Sequence, residues 1–185
     1  ELQSKNLEFD RISNEAFFYD GGRIIDSLSE INSKNGRYYI DLKKYVFKND
    51  VTVKDQDRLI KSEMMDYFLD SEKTFFYKKT LIYGKEYTVK CNSGYYDPSR
   101  KIGVFEDNAR IDFDSRQIYG DSIFFNEEKG YSNITRNIKI IDSIENLVLK
   151  GEFAEFFKKN DSAIITKNPF AINILKSDSL FIKAD

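Results

Sequence analysis

The chain has 185 residues, with 29 Lys and Arg against 31 Asp and Glu, so its formal net charge is −2; it has no histidine and one cysteine. The balanced charge argues against a nucleic-acid-binding surface, and the lack of histidine excludes a Ser-His-Asp triad and a His-based metal site. One cysteine excludes an intrachain disulfide framework, and no apolar run is long enough to cross a bilayer. No cofactor, metal site or transmembrane segment is predicted.

The predicted elements begin with an irregular repeat over residues 1–26, which has a turn at 10–14 and a glycine bend at 20–22. In each later repeat, a first strand ends at an aromatic pair and is followed by a polar link. A second strand then follows, and it is predicted to bend at a short polar stretch. The aromatic pairs are Tyr38-Tyr39, Tyr67-Phe68, Tyr95-Tyr96, Phe124-Phe125 and Phe156-Phe157. The links have hairpin-loop composition. The period-two alternation and the Val, Ile, Thr, Tyr and Phe content favour strands over helices, so the sequence predicts an all-β fold.

A period of 29 residues relates these elements to one another. Ile60, Ser62, Tyr67, Phe76 and Ile82 recur 29 residues later as Val89, Cys91, Tyr96, Phe105 and Ile111, and again as Ile118, Gly120, Phe125, Ile134 and Ile140. A fixed period of this size is the signature of a repeat architecture. We therefore predict one domain over 1–185, built from about six repeats of two strands each.

Stacking of the repeats would align equivalent side chains into ladders. The three apolar ladders are Ile31, Ile60, Val89, Ile118, Leu149 and Ile182; Phe18, Phe47, Phe76, Phe105, Ile134 and Ile165; and Ile24, Val53, Ile82, Ile111 and Ile140. A series of small residues, Ser33, Ser62, Cys91, Gly120, Gly151 and Ala184, predicts a place where opposing walls come close. The ladders fit either a closed core or an apolar groove, and stripes at strand spacing more often simply pack.

Polar candidates have a structural and a functional interpretation. Asp55 with Asp57 and Asp112 with Asp114 could serve glycosidase chemistry, but pairs two apart on a strand usually lie on a solvated face. Cys91 is expected to be a buried spacer rather than a reactive thiol. The lysine pairs at 43–44, 78–79 and 158–159 could bind phosphate groups at a groove rim or simply be solvated turn residues.

The two ends of the array are predicted to be unpaired strand edges, since neither end looks like a polar capping repeat. Such edges favour head-to-tail joining with like domains. The start at Glu1 without Met and the end just after LFIKAD suggest a segment of a longer chain.

The repeat motif resembles the OstA-like repeat. The matching positions are Ile118, Gly120, Asp121, Phe125, Lys129 and 138–140; Leu149, Gly151, Glu152 and Phe156; and Ile60, Ser62, Glu63 and Tyr67. The family comprises the periplasmic lipopolysaccharide-transport bridge protein and the amino-terminal domain of its outer-membrane partner. The resemblance covers nearly the whole chain, most clearly from Asp57 onward. It implies an elongated, twisted β-jellyroll, open at both ends, with lipid A acyl chains in an apolar groove and sugars outside.

These expectations give a non-enzymatic periplasmic carrier of lipopolysaccharide that joins other jellyroll domains of the transport bridge through edge strands. The predicted groove residues are Ile60, Val89, Ile118, Phe47, Phe76, Phe105, Ile82, Ile111 and Ile140. The alternative is a structural β-repeat module with a closed core, acting as a spacer or adhesion scaffold.

Overall fold

The computed structural model describes residues 1–25, 29–160, 162–175 and 178–183. The described residues form nineteen β-strands and a single turn of 3-10 helix at Lys158–Asn160. The strands are β1 Leu2–Ser4, β2 Leu7–Asp10, β3 Glu15–Phe18, β4 Gly22–Ile25, β5 Glu30–Ser33, β6 Asn35–Tyr39, β7 Lys44–Lys54, β8 Leu59–Phe68, β9 Thr74–Phe76, β10 Thr80–Tyr83, β11 Tyr87–Cys91, β12 Ser93–Asp97, β13 Ile102–Phe113, β14 Arg116–Asn126, β15 Tyr131–Asp142, β16 Leu147–Phe157, β17 Ser162–Thr166, β18 Phe170–Ile174 and β19 Ser179–Lys183. The predicted all-β fold is confirmed, and no helix in the described ranges could span a bilayer.

The strands pair antiparallel in one continuous sheet that is folded lengthwise into two walls. Wall A contains β2, β3, β6, β9, β12, β17, the first halves of β7, β13 and β15, and the second halves of β8, β14 and β16. Wall B contains β1, β4, β5, β10, β11, β18, β19 and the remaining halves. The walls meet along one line, which we call the bend, and their hairpin turns lie away from it.

Six long strands run through the bend, and in β7, β13 and β15 a pair of residues with positive φ turns the chain there. Asn49 and Asp50 have φ of 63° and 51°, and Asp107 and Asn108 have φ of 55° and 60°. The ladder register breaks at these points, between Lys48 and Val51 in one case. Asn and Asp adopt this left-handed conformation most readily after Gly, so the polar steps of the sequence produce the bend.

The second strands of three repeats bend as predicted, but β9 and β10 are separate strands. First strands also cross the bend unbroken at β8, β14 and β16, which the sequence pattern did not indicate. Both kinds of crossing place one half of each repeat on each wall.

Small side chains let the walls approach each other beside the bend. A Cβ atom on Gly120 would lie 2.3 Å from Cγ2 of Ile134, and one on Gly151 would lie 2.5 Å from Cγ2 of Ile165. In both cases the glycine lies on wall B and the isoleucine on wall A. The predicted close approach at the small series is thus confirmed at these glycines. Ala184, assigned to the same series, lies outside the described residues.

The hairpin turn after β15 is held by an ionised Asp142. Its carboxylate accepts hydrogen bonds from Nε of Arg116 at 2.9 Å, from Oγ of Ser115 at 3.0 Å and from the backbone N–H groups of Ile144 and Glu145 at 3.0 and 3.1 Å. These donors, the Arg116 guanidinium first among them, lower the pKa of Asp142 to about 2. The folded chain therefore favours the charged form.

We expect Asp142→Asn to lower the urea midpoint of unfolding at pH 7. A carboxyl group whose pKa is depressed by folding stabilises the fold above its unfolded pKa, near 4, and this contribution disappears as the pH falls toward 2. The difference between wild type and variant should therefore shrink between pH 4 and pH 2, measured by urea unfolding at each pH. A difference that stays constant over that range would contradict this role.

Candidate functional site

A single apolar row runs across the inner face of wall B, with one residue from every strand. In strand-pairing order the row is Leu2, Ile24, Ile31, Val53, Ile60, Ile82, Val89, Ile111, Ile118, Ile140, Leu149, Ala171 and Ile182. Two ladders that the sequence predicts separately interleave to form it. We call it the wall B row.

Wall A contributes two rows to the same interior. The floor row, beside the bend, alternates large and smaller residues: Leu7, Phe18, Gly36, Phe47, Met65, Phe76, Gly94, Phe105, Ile123, Ile134, Ala154 and Ile165. The mouth row, nearer the hairpin turns, contains Tyr38, Tyr45, Tyr67, Tyr96, Phe125 and Phe156 among its members. The second predicted ladder is therefore the floor.

Burial decreases from the bend to the hairpin turns. Most of the floor row is buried, with Phe76 only 1% exposed, whereas Tyr45, Tyr67 and Phe125 of the mouth row are half-buried. Most of the wall B row facing the mouth is also half-buried, including Ile60 and Ile118. An apolar interior that is buried at the bend and partly exposed toward the hairpin turns is the arrangement expected of a groove open on that side.

The predicted groove residues all lie on the inner faces, at two depths. Phe47, Phe76 and Phe105 are buried in the floor, and Ile82 and Val89 are buried in the wall B row. Ile60, Ile111, Ile118 and Ile140 are half-buried in the wall B row and face the mouth. Ligand contact at all nine stays a prediction; the half-buried four are the ones a ligand could reach without displacing the floor.

The mouth row is a lining that the sequence prediction did not assign to the site. Tyr38, Tyr67, Tyr96 and Phe125 recur at the 29-residue period, and each lies two residues from a floor residue on the side away from the bend. Their recurrence at the period was the only signal for them in the sequence, whereas period-two alternation from the predicted floor ladder identifies Tyr45, two residues from Phe47. Tyrosine suits this position because its ring is apolar and its hydroxyl is polar.

A cation–π contact crosses the mouth. Arg58, in the wall B turn before β8, places its guanidinium carbon 4.6 Å from the ring centroid of Tyr96 on wall A. Asp55 holds the same guanidinium at 3.1 Å. Beneath this bridge Ile82 and Val89 are only 5% and 2% exposed, although most of their row is half-buried. The bridge lies at the middle of the array, but Ile31, two strands before Ile60 in the row, is also only 5% exposed, so burial in this row does not require a bridge.

Tyr87 also lies at the mouth, on wall B. Its ring lies over Gly84, where a Cβ atom would come within 2.5 Å of the ring. Burial raises the pKa of both Tyr87 and Tyr96, so both phenols stay neutral at physiological pH.

We expect Arg58→Ala to raise the affinity for a neutral apolar fluorescent probe by about threefold, because a ligand entering the middle of the groove must break a cation–π contact of about 0.5–1 kcal/mol. Fluorescence titration measures the change. The matched control is Arg110→Ala, which removes a guanidinium stacked 5.3 Å from Tyr119 on the outer face and should leave probe binding unchanged. Unchanged or weaker binding in Arg58→Ala would show that the bridge does not obstruct the groove.

The remaining polar candidates have structural roles here. Burial raises the pKa of Cys91 to about 12, so its thiol is not ionised at neutral pH. Asp57 pairs with Lys85 at 2.7 Å and Asp112 with Arg110 at 2.6 Å. No cluster of potential metal ligands occurs among the described residues.

The lysine pairs take different positions. Lys43 binds Asp70 at 3.1 Å and Lys44 binds Asp66 at 3.2 Å, both near wall A hairpin turns. Lys78 and Lys79 lie at the bend, on the side of the array opposite the mouth. That position does not fit the groove rim.

Residues 1–63 of the 185 match a family model described as OstA-like protein. The chain is similar to this family over about a third of its length. The match confirms the resemblance carried by the repeat motif, although the motif is clearest from Asp57 onward. The OstA-like segment ends within β8, so it includes both walls of the first repeats.

No curated protein matches the chain. Among solved structures the chain is similar to LptH from Pseudomonas aeruginosa, whose structure is described as that of the LptA-homologous periplasmic component of the conserved lipopolysaccharide transport device. The sequence identity is 12%, the TM-score is 0.31, and the alignment covers 86% of this chain and 87% of that chain.

Proposed function

We propose that this chain is a non-enzymatic periplasmic carrier that binds lipopolysaccharide and passes it toward the outer membrane, with the lipid A acyl chains between the two walls. The observation that carries the proposal is the wall B row, which is apolar in every strand and half-buried along most of the mouth. Ligand sites are mostly apolar concave surfaces with few polar groups, which supports a binding role. The OstA-like segment supports the choice of lipopolysaccharide.

The function would depend on apolar area and shape, with no catalytic group. Acyl chains would lie against Ile111, Ile118 and Ile140, and the tyrosines of the mouth row would meet the boundary between acyl chains and sugars. Because equivalent side chains recur along the array, a lipid could move from one repeat to the next without losing its contacts.

Displacement of a bound probe tests this function. A neutral apolar fluorescent probe should bind the groove, and lipopolysaccharide should displace it, whereas the deacylated saccharide of the same lipopolysaccharide should not. Failure of the probe to bind, or equal displacement by the deacylated saccharide, would contradict acyl-chain binding.

The terminal strands support joining to other jellyroll domains. Strands β1, β2, β17 and β19 each pair on one side only among the described strands. They expose apolar side chains, such as Phe9 at 53% and Phe181 at 62%. Unpaired strand edges accept further strands, so head-to-tail contacts between copies or related domains are proposed.

We expect static light scattering to show an apparent mass that increases with concentration, and Phe181→Lys to reduce that increase, because charged side chains blunt strand edges. Ile144→Lys is the control, since Ile144 is equally exposed but lies in a hairpin turn. A strictly monomeric wild type at high concentration would contradict edge joining.

The structural-module alternative is favoured by one observation, the burial of Ile82 and Val89 beneath the Arg58–Tyr96 bridge. If the side chains of the whole interior were buried as completely as Ile82 and Val89, no apolar probe would bind. The displacement experiment therefore separates the two functions.

A further inference from the structure

The outer face of wall B carries a row in which seven of thirteen residues are cations. In strand-pairing order this row is Gln3, Arg23, Asn32, Thr52, Lys61, Leu81, Lys90, Arg110, Tyr119, Lys139, Lys150, Phe170 and Lys183. It contains no acidic residue, in a chain whose net charge is −2. We call it the basic row.

The corresponding outer row of wall A shows that this charge is not a general property of the array. That row contains Glu8, Asp66 and Glu155 and a single cation, Arg37. Of these two outer rows, only that of wall B is rich in cations.

The arrangement of the basic row is unfavourable for folding. Lys90 lies directly opposite Arg110, and Lys139 lies directly opposite Lys150. Like charges at directly opposed positions of an antiparallel pair are destabilising. The row is thus not explained by the stability of the sheet, which points to a ligand of opposite charge.

Most of these cations have no carboxylate partner among the described residues, although Lys61 and Lys139 lie 5.9 Å and 6.0 Å from the ring centroids of Tyr83 and Tyr119. Arg23 and Arg110 pair with Glu30 and Asp112. The exposed Lys61, Lys90, Lys139, Lys150 and Lys183 make no ion pair with any residue that the structure describes.

The shape of the row favours a flexible chain over a flat surface. Neighbouring strands are about 4.8 Å apart, so the row is a line of charges rather than a patch. Adjacent strands are also rotated by roughly 20–25°, which turns the row around the array. A flat membrane could contact only part of it, whereas a linear polyanion could follow it.

We propose that the basic row binds an anionic polysaccharide, namely the phosphate- or carboxylate-bearing sugars of lipopolysaccharide. This rests on the proposed function for the identity of the natural ligand. Lys90 is three residues from Tyr87 at the mouth, roughly 10 Å along the strand, so sugars leaving the groove reach the row around the turn ends of wall B. Ammonium groups bind the anionic groups, and Leu81, Tyr119 and Phe170 offer apolar contacts between them.

The proposal is tested by measuring the affinity for dextran sulfate by calorimetry, with neutral dextran as the blank. The row variant replaces Lys61, Lys90, Lys139 and Lys150 by Gln. The control variant replaces Lys78, Lys79, Lys101 and Lys129 by Gln, which removes the same charge from exposed positions outside the row. We expect the row variant to lose about tenfold or more in affinity and the control about threefold at most, since exposed ion pairs are individually weak but four are lost together.

The row variant should unfold at the same temperature as wild type or higher, because opposed like charges are removed, and should take up the apolar probe normally. Equal losses in the two variants, or no dextran sulfate binding by wild type, would overturn the proposal. Binding to phosphatidylglycerol vesicles without binding to dextran sulfate would assign the row to a membrane surface instead. Loss of probe displacement by lipopolysaccharide with dextran sulfate binding intact would count against the proposed function alone.

Discussion

Replacing Phe76 by alanine is expected to destabilise the fold by about 3–5 kcal/mol, the usual cost of removing a buried phenylalanine. Phe76 is 1% exposed, and its strand, β9, lies between β8 and β12 at the middle of wall A. A cavity there would remove floor packing that Met65 and the neighbouring repeats share. The loss should appear as a lower urea midpoint, because each repeat depends on its neighbours for stability.

Phe75→Ala is the matched control for this substitution. Phe75 is the adjacent residue on the same short strand, but it faces outward, half-buried, with its ring 5.6 Å from that of Phe68 and 5.8 Å from that of Tyr95. Its removal should cost about 1–2 kcal/mol. Equal losses at the two positions would mean that the inner face of wall A is not the principal core.

Placing a carboxylate in the wall B row is expected to weaken binding of the neutral apolar probe by about tenfold in Ile118→Glu, because a bound apolar ligand would desolvate the charge. Ile118 lies between Ile111 and Ile140 in the row, at a half-buried position. Position 118 is partly exposed to solvent when no ligand is bound. A carboxylate there should therefore change the free energy of unfolding only slightly. Fluorescence titration gives the affinity, and urea unfolding gives the stability.

Gln117→Glu introduces the same charge one residue earlier, on the outer face. It should bind the probe as wild type does, since its carboxylate does not enter the groove. If both variants bound normally, the probe would not occupy this section of the interior.

Local pattern was enough to predict much of this molecule. Period-two alternation predicted the strands, and the 29-residue repeat grouped the residues that the structure places at one depth, such as Phe47, Phe76 and Phe105. The small series predicted the close approach of the walls at Gly120 and Gly151. Each of these features depends only on the sequence within one repeat and on the recurrence of that sequence along the chain.

Features that depend on strand register could not be predicted in the same way. The merging of two ladders into the wall B row follows from antiparallel pairing, in which Ile60 lies opposite Ile82 and Ile82 opposite Val89. The basic row follows from the same register and has no signature along the chain. The Arg58–Tyr96 bridge joins residues of different repeats and different walls, so only the folded structure brings them together.

The two faces of wall B suggest how one array could handle an amphipathic ligand. The inner face offers a row of aliphatic side chains, and the outer face offers a row of ammonium and guanidinium groups. A lipid with a charged saccharide could satisfy both at once around the turn ends of the wall. Recognition would then depend on the order of chemical groups in the ligand rather than on a single pocket.

The central claim is tested most directly by photo-crosslinking to lipopolysaccharide. Benzoyl-phenylalanine is placed at position 125 in one variant and at position 124 in the control variant. Phe125 and Phe124 are consecutive, aromatic and half-buried, but Phe125 faces the groove and Phe124 faces out, beside Tyr131. We predict crosslinks from position 125 and none from position 124. Crosslinks from position 124 alone, equal crosslinks from both, or none from a folded position-125 variant would contradict transport of lipid within the groove.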